Sequence, residues 1–216
     1  MGKTNFFYLL GALLFLLVAV PMTHDLDVGD RPLIRAIIYS VMLIVGIWSL
    51  RGGGRFYWAG IVFVVSGIAL SILAANVDVM LLRYASMLSI CGFLVVAISF
   101  TLRQVVFGTE INANRMVGAI CVFLLLGIIW SFAYALLELA APNSFKGFSP
   151  EFGPGIDSSW LYFSFVTLTT LGYGDISPVS AMARTLAYMQ AVAGQFYIAV
   201  LVAGLVSAYI SERRGD

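Results

Sequence analysis

Six long apolar runs leave this chain few folds to choose from. Windows of about 20 residues pick out Phe6–Met22, Leu33–Leu50, Phe56–Ala75, Met80–Leu102, Met116–Leu139 and Ala183–Ile210. In lipid no water is on hand to satisfy backbone polar groups, so apolar runs of this length cross as helices. With 61% hydrophobic and only 11% charged residues over 216 positions, a soluble globule is excluded. The expectation is an all-α membrane protein with six transmembrane helices.

Charge is read side by side. With the amino terminus in the cytoplasm, Lys3, Arg51, Arg55, Arg103, Arg115, Arg213 and Arg214 fall on the inner side, against Glu110, Glu212 and Asp216. The outer side holds Arg31, Arg35, Arg83, Lys146 and Arg184 against a larger acidic set, among them Asp25, Asp27, Asp30, Asp78, Glu138 and Asp175. Basic residues inside satisfy the positive-inside rule and place both termini in the cytoplasm. A cleaved signal peptide is the alternative for the first segment, but Ala19-Val20-Pro21 is a poor cleavage site. Cys91 and Cys121 lie within apolar helices and read as packing residues. His24 reads as a solvated histidine in an acidic outer loop. Paired catalytic carboxylates, Ser/His/Asp sets and phosphate-binding glycine loops are missing, so neither an enzyme nor a cofactor is expected, and nothing points to nucleic acid.

Between the fifth and sixth apolar runs stands Thr169-Thr170-Leu171-Gly172-Tyr173-Gly174-Asp175, preceded by a short aromatic segment, Ser159–Thr169. That segment spans about 16 Å as a helix, half the hydrocarbon core. A helix of that length at membrane depth must be buried in protein. Asp157 or Ser158 would cap it. The loop before it, Ala140–Asp157, is rich in Pro and Gly and too irregular to cross lipid.

The heptapeptide resembles the selectivity filter of tetrameric potassium channels, usually spelled Thr-Val-Gly-Tyr-Gly-Asp. The resemblance covers roughly the last hundred residues and implies a homotetramer in which each chain supplies one filter strand around K⁺. It implies a re-entrant pore helix, with K⁺ held by carbonyls of Thr170, Leu171, Gly172 and Tyr173 and by the Thr170 hydroxyl. Gly172 and Gly174 would supply backbone angles that a Cβ disfavours. Thr169, Asp175, Tyr162 and Glu138 would support the filter. Leu171 replaces the usual Val, Tyr162-Phe163 replaces a Trp pair, and Val166 stands where some bacterial relatives carry a Glu. Tyr162 keeps a hydroxyl that could reach Asp175. Glu138 reads either as a brace of the filter surround or as a snorkelling interfacial charge. Gly194 matches the family's hinge glycine, with close helix packing as the other reading. Gln195 and Gly204 are further gate candidates.

The chain divides into a four-helix module at 1–107, a cytoplasmic linker at 108–115 and a pore domain at 116–216. The module resembles voltage sensors in topology only: its fourth segment carries Arg83 and Arg103 alone, where steep gating needs several charges. The expected function is passive, K⁺-selective conduction across a plasma membrane, of the bacterial inner type, without strong voltage gating. A nonselective or weakly voltage-gated cation channel and a non-conducting membrane scaffold are the alternatives. Partners are three identical subunits and the lipid bilayer.

Overall fold

The computed structural model describes residues 6–25, 31–51, 53–77, 79–107, 113–147 and 158–215. Seven helices run in chain order: α1 Phe6–Asp25, α2 Arg31–Ser49, α3 Arg55–Asn76, α4 Met80–Phe107, α5 Ala113–Ala140, α6 Ser158–Leu168 and α7 Ala181–Gly215. Five of the six apolar runs lie within one of the long helices, and the second, Leu33–Leu50, passes the end of α2 by one residue. Among the described residues three stretches are long and apolar enough to cross a membrane: Arg55–Ala74, Met80–Phe107 and Ala113–Ala140. Phe6–Met22 and Ser40–Ser49 are shorter apolar helical stretches.

Side-chain contacts fix the relative directions of the helices. The Tyr8 ring of α1 meets Trp48 near the far end of α2, edge to face at 5.2 Å. Phe56 of α3 meets Phe100 of α4 at 5.7 Å, and Ser66 Oγ reaches Ser89 Oγ at 3.4 Å. Both pairs are therefore antiparallel. Phe6 N donates to Asn114 Oδ1 at 2.8 Å, which puts the first turns of α1 and α5 together. The Arg115 guanidinium donates from Nε to Val105 O at 2.5 Å and from Nη2 to Val106 O at 3.2 Å. It thereby caps the last turn of α4, where carbonyls lack helical partners.

The module and the fifth helix share one core. Phe6, Leu13 and Leu16 of α1, Met42 of α2, Phe93 and Phe100 of α4, and Leu125 and Ile128 of α5 are buried together. α5 packs on both α1 and α4, whereas α2 touches α3 only lightly.

Two expected boundaries shift. α1 continues through His24 to Asp25, where a loop was expected; nothing between Pro21 and Asp25 breaks a helix once Pro21 is accommodated. Asp27 and Asp30 lie outside the described residues. Residues 113–115 of the expected linker form the first turn of α5, and 108–112 lie outside the described residues. One short ladder accompanies the helices: β1 (Phe145–Lys146) pairs antiparallel with β2 (Ser177–Pro178), Phe145 opposite Pro178 and Lys146 opposite Ser177. Two residues per strand give no periodicity to read, which is why the pairing is invisible in sequence.

Candidate functional site

α6 spans 11 residues, and its Trp160, Leu161, Phe163, Ser164, Val166 and Leu168 are buried. It begins at Ser158 and ends one residue before the expected Thr169; Asp157 lies outside the described residues. At its end Thr169 Oγ1 donates back to Phe165 O at 2.7 Å. Leu171 N and Gly172 N both converge on Val166 O, at 2.9 and 3.4 Å. The chain then leaves the helix with alternating handedness. φ is 60° at Thr170, 59° at Gly172 and 82° at Gly174, while Leu171 and Tyr173 between them keep negative φ. Regular alternation of this kind turns successive carbonyls toward one side instead of alternating them as a strand does. Thr170 occupies the left-handed region with a β-branched side chain, a strain of about 1–3 kcal/mol that surrounding contacts must offset. Its hydroxyl donates to Thr169 O at 2.6 Å.

The whole segment is uncovered on a single chain. Leu171 is 56% and Tyr173 68% exposed, and a Cβ added at Gly172 or Gly174 would meet nothing within 4 Å. Bare backbone at membrane depth is tolerated only against other protein or a water-filled path.

Contacts frame the segment from outside. The Tyr162 hydroxyl donates to Asp175 Oδ2 at 2.6 Å, and the Tyr162 and Tyr173 rings lie parallel at 6.4 Å. That hydrogen bond, with a further one from the Ile176 amide, holds the Asp175 carboxyl below its ordinary pKa. Glu138, at the end of α5, accepts from the amides of Asn143 (2.7 Å), Ser144 (3.0 Å) and Phe145 (3.2 Å). Those residues lead into β1, which pairs with β2 directly beyond the segment. Val179 N and Ser180 N in turn donate to Ser144 O. One carboxylate thus organises the loop against which the exit of the segment is laid. Gly147 closes this surround: its φ is 93°, and a Cβ would lie 1.9 Å from Asp175 O. Only glycine fits there.

Sequence reasoning missed the polar network behind α6. Tyr134 of α5, Ser164 of α6 and Gln190 of α7 are all 0% exposed. Gln190 Nε2 donates to Ser164 O at 3.0 Å and to Ser164 Oγ at 2.7 Å. Ser164 Oγ donates in turn to Gly127 O at 2.6 Å, and the Tyr134 hydroxyl donates to Gln190 Oε1. Three helices are joined by one satisfied network, and a polar side chain in this apolar setting is costly unless so paired. The rings of Tyr134, Phe145, Trp160 and Phe163 pack around it edge to face. Gln190, one of two amide side chains in the apolar run Ala183–Ile210, was the legible signal.

α7 passes Gly194 as continuous helix. A Cβ at Gly194 would lie 2.4 Å from Leu168 O, so the glycine lets α7 approach the end of α6. Gln195 Nε2 stands 3.5 Å from Thr170 Oγ1, at the base of the segment. Gly204 faces open space. The Tyr197 hydroxyl ties α7 to Ala119 O of α5 at 2.6 Å. Among the described residues no group of three or more His, Cys, Asp or Glu side chains could hold a metal.

A protein-family model described as an ion channel matches residues 122–211. The match starts inside α5 and ends inside α7, and so takes in α6 and the alternating segment. Over those residues the chain is similar to an ion channel domain. No curated protein and no solved structure matches the chain. With its long apolar helices, the chain is a membrane protein.

Proposed function

We propose that four copies of this chain form a K⁺-selective channel, each chain crossing the membrane six times with both termini in the cytoplasm. The alternating φ at Thr170, Gly172 and Gly174, within Thr-Leu-Gly-Tyr-Gly-Asp, carries the reading. Carbonyls turned to one side are the chemistry that replaces the hydration shell of K⁺. Thr170, Leu171, Gly172 and Tyr173 would supply those oxygens, with the Thr170 hydroxyl at the inner end. One strand makes a quarter of a ring, and its exposure on the single chain supports assembly around an axis. The carboxyl end of α6 carries partial negative charge and would point toward an ion resting below the filter. Glu138, Tyr162 and Asp175 would hold the outer end of the strand.

The test is reconstitution of the purified chain in planar bilayers under bi-ionic conditions. A reversal potential showing K⁺ strongly preferred over Na⁺ is expected; near-equal permeability would overturn selectivity. Chemical cross-linking should stop at four chains, and a ladder ending elsewhere would overturn the tetramer.

A further inference from the structure

The four-helix module holds a feature that ion conduction does not use. Where α1, α2 and α3 meet, light packing between α2 and α3 leaves a cavity of about 390 Å³. It is lined by Tyr8 of α1, by Ile44, Ile47 and Trp48 of α2, and by Tyr57 in the first turn of α3, with Arg51 beside them. The lining is apolar along α2 and turns aromatic and then cationic at the α2–α3 turn. This is the order of an amphiphile entering a membrane at its interface, where Tyr and Trp concentrate.

The charge at that turn favours an anion. Arg51 and Arg55 flank three glycines. Among the described residues no partner holds the exposed Arg51 guanidinium. The carbonyls at the end of α2 and in the turn after it are already occupied: Ile47 O accepts from Leu50 N, Trp48 O from Arg51 N and Leu50 O from Gly53 N. The amino end of α3 has the opposite character. Its N-cap is Gly54, with φ 52° and no capping side chain; Phe56 N donates to Gly53 O at 3.1 Å, which leaves the Arg55 and Tyr57 amides and the positive end of the α3 dipole to attract an anion. Gly53 keeps this turn against α4, since a Cβ there would lie 2.5 Å from the Phe100 ring.

We infer that this cavity binds an anionic phospholipid of the surrounding bilayer. Its phosphate sits between Arg51 and the amino end of α3, and one acyl chain runs along Ile44, Ile47 and Trp48. The inference needs only that the chain is a membrane protein and does not depend on the ion conducted.

Trp48 reports occupancy directly. The full chain is placed in phosphatidylcholine nanodiscs doped with equal fractions of dibrominated phosphatidylglycerol or dibrominated phosphatidylcholine. The Trp48 signal is isolated by difference from Trp48→Phe. Quenching at low brominated fraction should favour the anionic lipid about fivefold, the effect of one arginine near an anionic headgroup. Arg51→Gln should remove that preference and Arg51→Lys should keep most of it. Should Arg51→Gln lose its helicity, salt is the second readout: at about 1 M, where the Debye length is about 3 Å, the preference of the unaltered chain should shrink sharply. Equal quenching by both lipids would mean ordinary lipid contact and overturn the site. No quenching by either would mean that a second copy or another protein covers the cavity, which also overturns it.

Discussion

Thr170, Gly172 and Gly174 share a backbone hand, and they do not pay for it equally. Glycine takes positive φ without steric penalty, whereas any side chain there costs about 1–2 kcal/mol. Gly172→Ala should therefore abolish selective conduction while leaving the helices formed; selective currents of ordinary size from that variant would refute the assigned backbone. Asp175 offers a second residue-scale test, through its hydrogen bond from Tyr162. Its lowered pKa means that the stabilisation is fully present above the ordinary value of 3.8 and is lost as pH falls through the lower native value. Tyr162→Phe removes the hydrogen bond that does most to lower it. An external acid titration of the current should then show its midpoint moving upward, and a fixed or lowered midpoint would detach Tyr162 from the ionisation of Asp175.

At the scale of elements, the position of α6 depends on contacts that differ in how readily sequence reveals them. The six long helices were legible because hydropathy over 20 residues is a strong signal, and α6 because its length could not cross lipid. Tyr162, Asp175 and Glu138 were found by their place around a motif. Gly147, Ser164 and Gln190 were not, because their roles arise from contacts 26 or more residues away along the chain. Gly194 carried two readings, a hinge by resemblance and a close helix approach, and the 2.4 Å between its added Cβ and Leu168 O supports the approach. Gly194→Ala should force α7 off the end of α6 at a cost of about 1–3 kcal/mol per chain, the usual range for overpacking. Reduced thermal stability with an unaltered open probability is expected, and the reverse pattern would restore the hinge. Gln190→Leu strips the partner from both Tyr134 and Ser164, at a cost of about 1–2 kcal/mol inside a membrane protein. In a double-mutant cycle, Tyr134→Phe with Gln190→Leu should cost less than the sum of the single changes. Strict additivity would show that the two side chains do not act together.

Across the whole molecule, the four-helix module shares a core with α5 and α6, and this bears on how the chain answers a membrane potential. Arg83 and Arg103 stand near opposite ends of α4, about 30 Å apart at 1.5 Å per residue. For either to cross the field, α4 would have to slide along its axis. Phe93 and Phe100 are buried against neighbouring helices, and Arg115 of α5 is bonded to the last turn of α4. Sliding would break both sets of contacts. A charge crossing the full field gains only about 2.3 kcal/mol per 100 mV, and it must work against the van der Waals packing and hydrogen bonds that hold helices together in lipid. The conductance–voltage relation should therefore be shallow, well below the roughly three or four charges per subunit of steep gating, and Arg103→Gln should leave its slope unchanged. A steep relation that flattened on that substitution would show that α4 moves despite its packing. Arg115→Gln then separates the two restraints. If the clasp matters, releasing the end of α4 should raise hydrogen exchange across its last turn without changing selectivity, and protection equal to that of the unaltered chain would assign the restraint to Phe93 and Phe100 alone.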